Sequence, residues 1–223
     1  MEEALTVAKL EAVLYTPDFA GERPELLAAV PAGVPILQTS AKELAALSCT
    51  ETPQGIMAVA RIPSSSWETV AATRRTLVAL DGIQDPGNLG TVIRAAAAFG
   101  AGVVVCPGSV DPYNPKVVRA TAGYLFRFPP VFLPRGGKEG MDLLRGVGYR
   151  IFAAGPRGGV ALPEADLTGP VAVWIGNEGK GLSEEAVAAA DRSLRIPTPG
   201  PVESLNAGVA AAVILYEIAR RGG

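Results

Sequence analysis

Short apolar runs alternate with stretches of helical periodicity from residue 76 to the end of the chain. Nearly continuous aliphatic segments, typical of strands buried on both faces of a sheet, occur at 76–80, 102–106, 149–154, 170–175 and 193–196. The pattern predicts helices near 89–99, 114–122, 138–146, 183–190 and 203–220. This alternation predicts an α/β domain over 76–223, with a parallel sheet flanked by helices.

The N-terminal part of the chain follows a different pattern. Short apolar segments predict strands at 10–15, 34–37 and 55–60, and helices are predicted at 24–29 and 40–47. This mixture indicates a small α+β domain over residues 1–62. Residues 63–75 contain a proline, three consecutive serines and several charges, and they are predicted to be a linker.

Composition removes several classes of function. The 223 residues include no histidine, which excludes imidazole acid–base catalysis and histidine-ligated metal sites. Cys49 and Cys106 lack CxxC spacing, so a buried structural thiol is expected for each in a cytosolic protein. The net charge is −2, so an anionic partner requires a local basic patch. With no secretion signal and no apolar run long enough to span a bilayer, a cytoplasmic location and no membrane partner are expected.

A first polar cluster follows the predicted strand at 76–80, in the stretch DGIQDPGNLGTVIRAAAAFG. Asn88 stands at the start, and Arg94 in the second turn, of a predicted helix that is otherwise almost entirely apolar. One interpretation makes Asn88 an N-cap and Arg94 a solvated side chain. The other gives both a ligand to bind, since ligands of parallel sheets bind beyond the carboxyl ends of the strands.

Two further clusters interrupt the apolar pattern. In WIGNEGKGLS, at 174–183, three glycines allow close approach of a ligand to the backbone around Glu178; an ordinary turn capped by Ser183 is the alternative. In RIPTPGPVESLNAGVAAAVIL, at 195–215, Ser204 could simply be a cap. Asn206, inside a predicted apolar helix, requires a partner. Neither a GxGxxG motif nor P-loop spacing occurs, which disfavours a dehydrogenase or an NTPase.

The three clusters together resemble motifs one, two and three of the SpoU/TrmH group of SPOUT methyltransferases, which methylate RNA ribose 2′-hydroxyls with S-adenosylmethionine. The segment NPKVVRATAGYLFRFP, at 114–129, is similar to the family's intermediate region. The N-terminal part, ending in TPQGIMAVA, resembles the family's ribosomal-protein-like substrate-binding domain. It departs from the pattern in two respects: Gln54 stands where histidine is commoner, and the domain looks shortened at its N-terminus.

The resemblance implies which residues form the site. The implied catalytic residues are Asn88, Arg94, Glu178, Ser204 and Asn206. The implied cofactor is S-adenosylmethionine, which becomes S-adenosylhomocysteine, with no metal. Its implied binding residues, acting largely through their backbone, are Ala154, Gly155, Ile175, Gly176, Ile196 and Leu205. Family proposals make the motif-one arginine a general base; a cation that grips phosphate and ribose is the alternative, because guanidinium stays protonated in proteins.

The resemblance also implies features that sequence physics alone would not suggest. One is a C-terminal trefoil knot, although knots are essentially absent among folds generally. Another is a homodimer with the last helix in its interface; the apolar run from Val209 to Tyr216 fits an interface, and a plain core helix is the alternative. The implied substrate is RNA, with ribosomal RNA favoured over transfer RNA because of the small N-terminal domain. A non-catalytic RNA-binding module with the same fold is the alternative function.

A basic stretch provides an independent indication of RNA binding. Between residues 116 and 138 there are five basic residues and no acidic ones: Lys116, Arg119, Arg127, Arg135 and Lys138. Such a cluster predicts a phosphate track, with Lys116, Arg119 and Arg127 as RNA contacts. Scattered surface charge is the alternative.

Overall fold

The computed structural model describes residues 2–50, 52–155 and 157–222, and the chain divides into two compact units, Met1–Ser64 and Ser65–Gly223. The helices are α1 (Glu2–Val7), α2 (Pro17–Glu22), α3 (Pro24–Ala28), α4 (Ala41–Leu47), α5 (Trp67–Thr73), α6 (Pro86–Phe99), α7 (Pro115–Ala120), α8 (Tyr124–Arg127), α9 (Gly137–Gly146), α10 (Glu184–Ala189) and α11 (Ala207–Arg220), with a short 3-10 helix at Leu162–Glu164. The strands are β1 (Leu10–Tyr15), β2 (Ile36–Gln38), β3 (Ile56–Ala60), β4 (Thr76–Asp81), β5 (Gly102–Val105), β6 (Val131–Phe132), β7 (Arg150–Ala154), β8 (Val160–Ala161), β9 (Val171–Gly176) and β10 (Arg192–Arg195).

The N-terminal unit contains a three-stranded sheet in the order β2-β1-β3, with β1 parallel to β2 and antiparallel to β3. Its core is built around Val13 of the central strand. Helix α4 begins with a capping box, in which the Ser40 hydroxyl accepts from Glu43 N–H at 3.2 Å and the Glu43 carboxylate accepts from Ser40 N–H at 2.9 Å. The sequence pattern misses α1 and α2, because six residues are too few to establish a helical period.

The second unit is built on a seven-stranded sheet in the order β6-β5-β4-β9-β7-β10-β8, and every recorded strand pair in it is parallel. The prediction of an α/β fold with a parallel sheet flanked by helices is confirmed. The register places Asp81, the last residue of β4, opposite Gly176, the last residue of β9. The first two polar clusters therefore leave the sheet side by side.

Two apolar cores cover the two faces of this sheet. Alternate residues of one strand contribute to different cores: Val105 packs in the first and Val104 in the second. The first core is formed with α6 and α11, and the second with α9 and α10. Because both faces are buried, the strands consist of almost uninterrupted aliphatic residues.

The structure corrects the predicted linker at 63–75. Most of this segment is helix α5. Ser66 is its N-cap, and the Ser66 hydroxyl accepts a hydrogen bond from Thr69 N–H at 3.3 Å. Trp67, Val70 and Ala71 of α5 pack against the second core. Their i, i+3, i+4 spacing is a helical signal that the neighbouring serines and charges obscured.

The two cysteines differ in their surroundings. Cys106 is buried as expected, and burial, assisted by the nearby Asp81 carboxylate, raises the pKa of its thiol. Cys49 is exposed, so the expected buried role is wrong for that residue. Across residues 2–50, 52–155 and 157–222, no helix combines the length and apolar character needed to cross a membrane.

Candidate active site

Helix α6 begins earlier than predicted, and this changes the position of Asn88. Asp85 is the N-cap: its side-chain oxygen accepts from Asn88 N–H at 2.7 Å, and Pro86 follows at the first helical position. Asn88 therefore lies within the first turn, and the interpretation that it caps the helix is wrong. Asn88 is only 7% exposed, so its side-chain amide requires hydrogen-bond partners inside the protein.

A tight loop after β9 presents Glu178. Asn177 pairs with Gly181 across the loop, and its side-chain oxygen accepts from the N–H groups of Gly179 at 3.0 Å and Lys180 at 3.1 Å. A Cβ at Gly176 would lie 2.3 Å from the backbone carbon of Gly181, so only glycine permits this close approach. The side-chain amide of Asn177 also donates to the Gly82 carbonyl at 2.9 Å, which fastens this loop to the one after β4.

The Glu178 carboxylate accepts three hydrogen bonds from the start of α6. Its donors are Gln84 N–H at 3.2 Å, Asp85 N–H at 3.1 Å and the Asn88 side-chain amide at 3.0 Å. Burial acts to raise the pKa of Glu178, but the bonds from Asn88 and from backbone N–H groups outweigh it. The pKa therefore lies below its ordinary value of 4.5, and the group is held as an anion near neutral pH.

Asn206 extends this connection to the third cluster. Its side-chain nitrogen donates to the Asn88 oxygen at 2.8 Å. Its side-chain oxygen accepts from Gly208 N–H at 2.9 Å and Val209 N–H at 3.2 Å, which makes Asn206 the N-cap of α11. The prediction that it lies inside a helix beginning near 203 is corrected, although it does have the partner that the sequence required. Glu178, Asn88 and Asn206 thus form one hydrogen-bonded chain across the three motifs.

Small residues allow the helices to approach closely enough for this contact. A Cβ at Gly208 of α11 would lie 3.0 Å from the side chain of Thr91 in α6. On another side of α6, a Cβ at Gly90 would lie 2.3 Å from the Ala120 side chain in α7. Because Gly208 and Thr91 follow Asn206 and Asn88 closely in sequence, this crossing brings the two asparagines together.

Arg94 and Ser204 lie outside the chain of hydrogen bonds. Both are exposed, and within the part of the chain that the structure describes neither side chain makes a recorded hydrogen bond or ion pair. Six residues along α6 carry Arg94 about 9 Å from Asn88 and turn it about 120° around the helix axis. The structure therefore brings together three of the five predicted catalytic residues, Asn88, Glu178 and Asn206.

The residues predicted to bind a cofactor lie at the ends of three neighbouring strands, β9, β7 and β10. Ala154 ends β7, and Gly155 N–H donates to the Leu194 carbonyl at 2.9 Å. Ile175 and Gly176 end β9, and Ile196 directly follows β10. The remaining predicted residue, Leu205, immediately precedes the cap of α11. The side chain of Ile175 is buried in the first core, so its backbone is the part available to a ligand.

Sequence reasoning missed a second set of residues that support the site. The Ser109 hydroxyl accepts from Gly82 N–H at 3.0 Å and Ile83 N–H at 3.2 Å, and it donates to the Leu80 carbonyl at 3.1 Å. The Gln84 side chain donates to the Gly108 carbonyl. Ser109 carries no local signal in the sequence, whereas Asp85 before Pro86 is a helix-start signal that could have been recognised.

The predicted RNA contacts of the basic stretch lie on the surface. Lys116 and Arg119 lie on α7 and Arg127 on α8, and all three are exposed. Farther along, Arg135 forms an exposed ion pair with Glu139 at 3.5 Å. No group of three potential metal-ligating carboxylates or thiols occurs among the residues that the structure describes.

The fold and the three joined motifs define a member of a known class of enzymes. Residues 75–216 match the model of the SpoU rRNA Methylase family, and the chain belongs to that family. The resemblance inferred from the motifs is thereby confirmed.

Individual relatives support this assignment. The chain is 35% identical over 187 residues to the 23S rRNA (guanosine(2553)-2′-O)-methyltransferase RlmP of Bacillus subtilis, with coverage of 83% of this chain and 73% of the relative. It is 36% identical over 177 residues to the 23S rRNA (uridine(2479)-2′-O)-methyltransferase of Streptomyces viridochromogenes, covering 77% of this chain and 62% of that relative.

Solved structures show the same similarity. A TrmH-family RNA methyltransferase, described as putative, from Porphyromonas gingivalis superposes with a TM-score of 0.83 at 32% identity, covering 98% of this chain and 86% of that one. The SpoU methyltransferase AviRb of Streptomyces viridochromogenes, in complex with AdoMet, has a TM-score of 0.83 at 30% identity and coverages of 99% and 87%.

Proposed function

We propose that this protein is an S-adenosylmethionine-dependent methyltransferase that acts on a ribose 2′-hydroxyl of RNA, in ribosomal rather than transfer RNA. The observation that carries the proposal is the hydrogen-bonded chain of Glu178, Asn88 and Asn206, which unites three motifs distant in sequence. Relatives named for 23S rRNA support the substrate class. A cytoplasmic location is part of the proposal, because ribosomal RNA is the substrate.

The strand ends beside the network fit the proposed cofactor. Gly155 has no side chain, and a Cβ placed there would meet nothing closer than the Arg157 carbonyl at 4.0 Å. Ala154 and Ile196 are partly buried and pack against the first core from this edge. Open space above backbone atoms, bordered by small and aliphatic side chains, suits a flat adenine ring. We assign its binding to Ala154, Gly155, Ile175, Gly176, Ile196 and Leu205.

The chemistry requires positioning more than acid–base groups. When bound, S-adenosylmethionine would supply a methyl group activated by a sulfonium centre, and it would leave as S-adenosylhomocysteine after an in-line transfer to oxygen that needs no metal. Glu178, held as an anion by its three donors, orients the start of α6, and Asn206 holds Asn88 from the opposite side. A substantial part of the acceleration would come from this fixed geometry.

Arg94 and Ser204 are assigned to the substrate. Both side chains are exposed, so they are available to RNA. The guanidinium remains protonated and would grip a phosphate and lower the pKa of the ribose hydroxyl by its charge. The Ser204 hydroxyl, two residues before the Asn206 cap, would offer a hydrogen bond near the reacting oxygen.

A homodimer is part of the proposal. Thr91 of α6 meets Gly208 of α11, and Phe99 stacks edge-to-face on Tyr216 at 5.9 Å, so the two helices run side by side in the same direction. Helix α11 carries an exposed apolar stripe, Val209, Val213 and Tyr216. The exposed Arg94 lies three residues, or about one helical turn, after Thr91 in α6. A second copy covering this stripe would place Arg94 at the boundary between subunits. Sedimentation of a stable monomer at micromolar concentration would contradict the dimer.

We further propose a trefoil knot at the C-terminal end and an RNA-binding role for the N-terminal unit. Strand β10 lies between β7 and β8 in the sheet although it follows both in sequence, an order that is compatible with threading of the C-terminal segment. Beyond α11, Arg221 donates to the carbonyls of Ala165 at 2.8 Å and Pro163 at 2.7 Å, which fastens the end of the chain. The N-terminal role is supported by the similarity to whole solved methyltransferases.

The decisive experiment measures cofactor binding and methyl transfer together. Calorimetric titration with S-adenosylmethionine, followed by transfer of labelled methyl to ribosomal RNA and mapping of the modified ribose, should show both activities. Glu178→Gln should abolish most transfer, whereas Glu68→Gln, at an exposed carboxylate of α5, the helix that leads into the amino end of β4, should not. Cofactor binding without ribose methylation would contradict the proposal, and RNA binding without cofactor binding would establish the non-catalytic alternative.

The basic residues are tested through salt dependence. If Lys116, Arg119 and Arg127 contact phosphates, replacing all three with alanine should weaken RNA binding and reduce the slope of log affinity against log salt by about one for each lost contact. An unchanged salt slope would show that these three residues are ordinary surface charges and do not contact RNA phosphates.

A further inference from the structure

Phe132 is an aromatic side chain that the fold leaves largely in solvent. It is 53% exposed, whereas its neighbours Val131 and Leu133 are each 2% exposed. Phe132 lies opposite Val105 in the parallel pairing of β6 with β5. Val105 packs in the first core together with residues of α6, so the Phe132 side chain projects from the same face of the sheet as the helix that carries Asn88.

The position of Phe132 relates it to the site. It ends β6, so it lies at the carboxyl edge of the sheet, where the loops of the active site also emerge. In the strand order, β6 is separated from β4 by β5 alone. With neighbouring strands about 4.8 Å apart, the end of β6 is roughly 10 Å from the end of β4. That distance is appropriate for a nucleotide close to the one whose ribose is methylated.

The segment that follows Phe132 is tied to the loop of motif one. Gly137 N–H donates to the Asp81 carboxylate at 2.7 Å, and the same carboxylate oxygen accepts from the Trp174 indole at 2.9 Å. A Cβ at Gly136 would lie 2.9 Å from the other carboxylate oxygen, so the backbone passes close against Asp81. Phe132 is thus held in a fixed relation to β4, which a binding platform requires.

The charge around Phe132 favours a polyanion as its partner. It lies within the stretch from Lys116 to Lys138, which contains five basic residues and no acidic ones. Arg135, three residues after β6, and Lys138, in the first turn of α9, are both exposed, and the ion pair of Arg135 with Glu139 is itself open to solvent. A second aromatic residue of this stretch, Tyr124 of α8, is also exposed. Exposed aromatic rings among basic residues are the combination that binds unpaired nucleotides.

The alternative of a protein partner that adds a strand at this edge is disfavoured by the local sequence. Strand β6 has two residues, and it is flanked by Pro129 and Pro130 before it and Pro134 after it. Proline has no N–H to donate, so this edge is a poor template for strand addition. The ring, rather than the backbone, is the feature that β6 offers to a partner.

We propose that Phe132 is a stacking platform for an unpaired base of the RNA, close to the methylated nucleotide, with Arg135 and Lys138 contacting the adjoining phosphates. This inference rests on the proposed function and adds a preference for single-stranded RNA beside the target. Stacking tolerates any base, so Phe132 contributes affinity and placement rather than sequence readout.

The test compares binding of a short oligoadenylate and of a perfect RNA duplex of the same length over a series of salt concentrations. Phe132→Ala should weaken oligoadenylate binding roughly five- to hundredfold and leave the salt slope unchanged, because stacking releases no counterions. Phe132→Tyr should bind as the natural protein does, and Phe132→Leu should be as weak as alanine. Arg135→Ala with Lys138→Ala should instead reduce the salt slope by about two.

Controls separate this inference from the proposed function. Val147→Ala, which shortens another exposed apolar side chain, should leave RNA binding unchanged. The Phe132 variants should bind S-adenosylmethionine normally and unfold at the same temperature. Unchanged oligoadenylate affinity in Phe132→Ala, or an equal loss for the duplex, overturns the stacking role while leaving the methyltransferase proposal intact. Failure of the natural protein to bind cofactor would overturn that proposal instead.

Discussion

At the scale of single residues, the site depends on polar side chains whose donor and acceptor atoms both form hydrogen bonds within the protein. Asn88 is nearly buried, yet its amide nitrogen donates to Glu178 and its oxygen accepts from Asn206. Removing either partner leaves a buried polar atom unsatisfied, which costs about 1–3 kcal/mol. Arg94 is different, because it is exposed and its side chain makes no recorded hydrogen bond or ion pair in the part of the chain described. These two situations predict different consequences of substitution.

Arg94→Ala should leave the free energy of unfolding within about 0.5 kcal/mol and cofactor affinity nearly unchanged, because the side chain supports no other group. Methyl transfer should fall roughly 10²- to 10³-fold, and Arg94→Lys should recover little because lysine lacks the guanidinium fork. Calorimetry and single-turnover rates measure the two effects. The assignment of Arg94 to substrate is wrong if the alanine variant loses cofactor binding or keeps near-normal transfer.

Asn206→Ala should damage stability, cofactor binding and transfer together. The change removes the N-cap of α11, which costs about 0.5–2 kcal/mol, and it leaves the Asn88 oxygen without its donor. The same three measurements as for Arg94 apply. A variant with normal stability and normal cofactor affinity would show that the hydrogen bond between the asparagines is dispensable.

Ser109→Ala should change the pH dependence of activity. The pKa of Glu178 in the folded protein lies below the ordinary value of 4.5. The stabilisation that its ionised carboxylate gives to the site is therefore fully present above about pH 4.5, and it is lost as the pH falls through the pKa of the folded protein. Without the Ser109 hydroxyl, the loop at residues 82–85 loosens and its N–H groups leave the carboxylate. The pKa of Glu178 then rises, and the acid limb of the rate profile moves to higher pH.

The profile of methyl transfer against pH measures this shift. Ser65→Ala is the matched control, since Ser65 is exposed and outside the site. Ser109→Thr keeps a hydroxyl and should retain the original limb. A Ser109→Ala enzyme that is slower at every pH by the same factor would indicate general destabilisation instead.

At the scale of elements, the close crossing of α6 and α11 builds the site. Glycine at 208 brings α11 against Thr91, and this approach allows Asn206 to reach Asn88. The packed interior leaves little space for adjustment, so additional volume at the crossing must move a helix. The geometry of the catalytic residues is therefore set by a position that contacts no substrate.

Gly208→Val should separate the two helices, lower the free energy of unfolding by about 1–3 kcal/mol and reduce transfer more than cofactor binding. Gly146→Val is the matched control, because a Cβ at Gly146 of α9 would meet no atom within 4 Å. Chemical denaturation and transfer rates test the pair. Equal effects of the two substitutions would show that the crossing is not sensitive to added volume.

At the scale of the whole molecule, the chain consists of two units with separate cores. The core of the N-terminal unit is built around Val13. The second unit has two cores, one on each face of its seven-stranded sheet. All residues assigned here to catalysis and to the cofactor lie in the second unit. Its stability and its cofactor site are therefore expected to be independent of the first.

A fragment of residues 65–223 should fold and bind S-adenosylmethionine with an affinity close to that of the full chain, but it should bind ribosomal RNA more weakly. Circular dichroism, calorimetry and RNA titration test the three statements. A fragment that is unfolded, or that binds RNA as well as the full chain, would contradict the division of roles.

The sequence by itself determined the strands, the helices between them and the chemistry of the motifs. Buried parallel strands are almost purely aliphatic, so β4, β5, β7, β9 and β10 were recognisable, whereas β6 and β8, with two residues each, were not. Asn88 and Asn206 are conspicuous as polar residues of apolar helices, and Glu178 as the carboxylate of a glycine-rich loop. The resemblance to the family joins the three in one site.

The tertiary structure alone decided which partners they have. Glu178 and Asn88 are 90 residues apart in the chain, and Asn88 and Asn206 are 118 apart, yet each pair shares a hydrogen bond. It also showed that Asp85 rather than Asn88 begins α6, that Ser109 supports the motif-one loop, and that Phe132 is exposed. Local patterns record how each segment is buried, but the order of strands and the crossing of helices depend on contacts between distant segments, which periodicity does not encode.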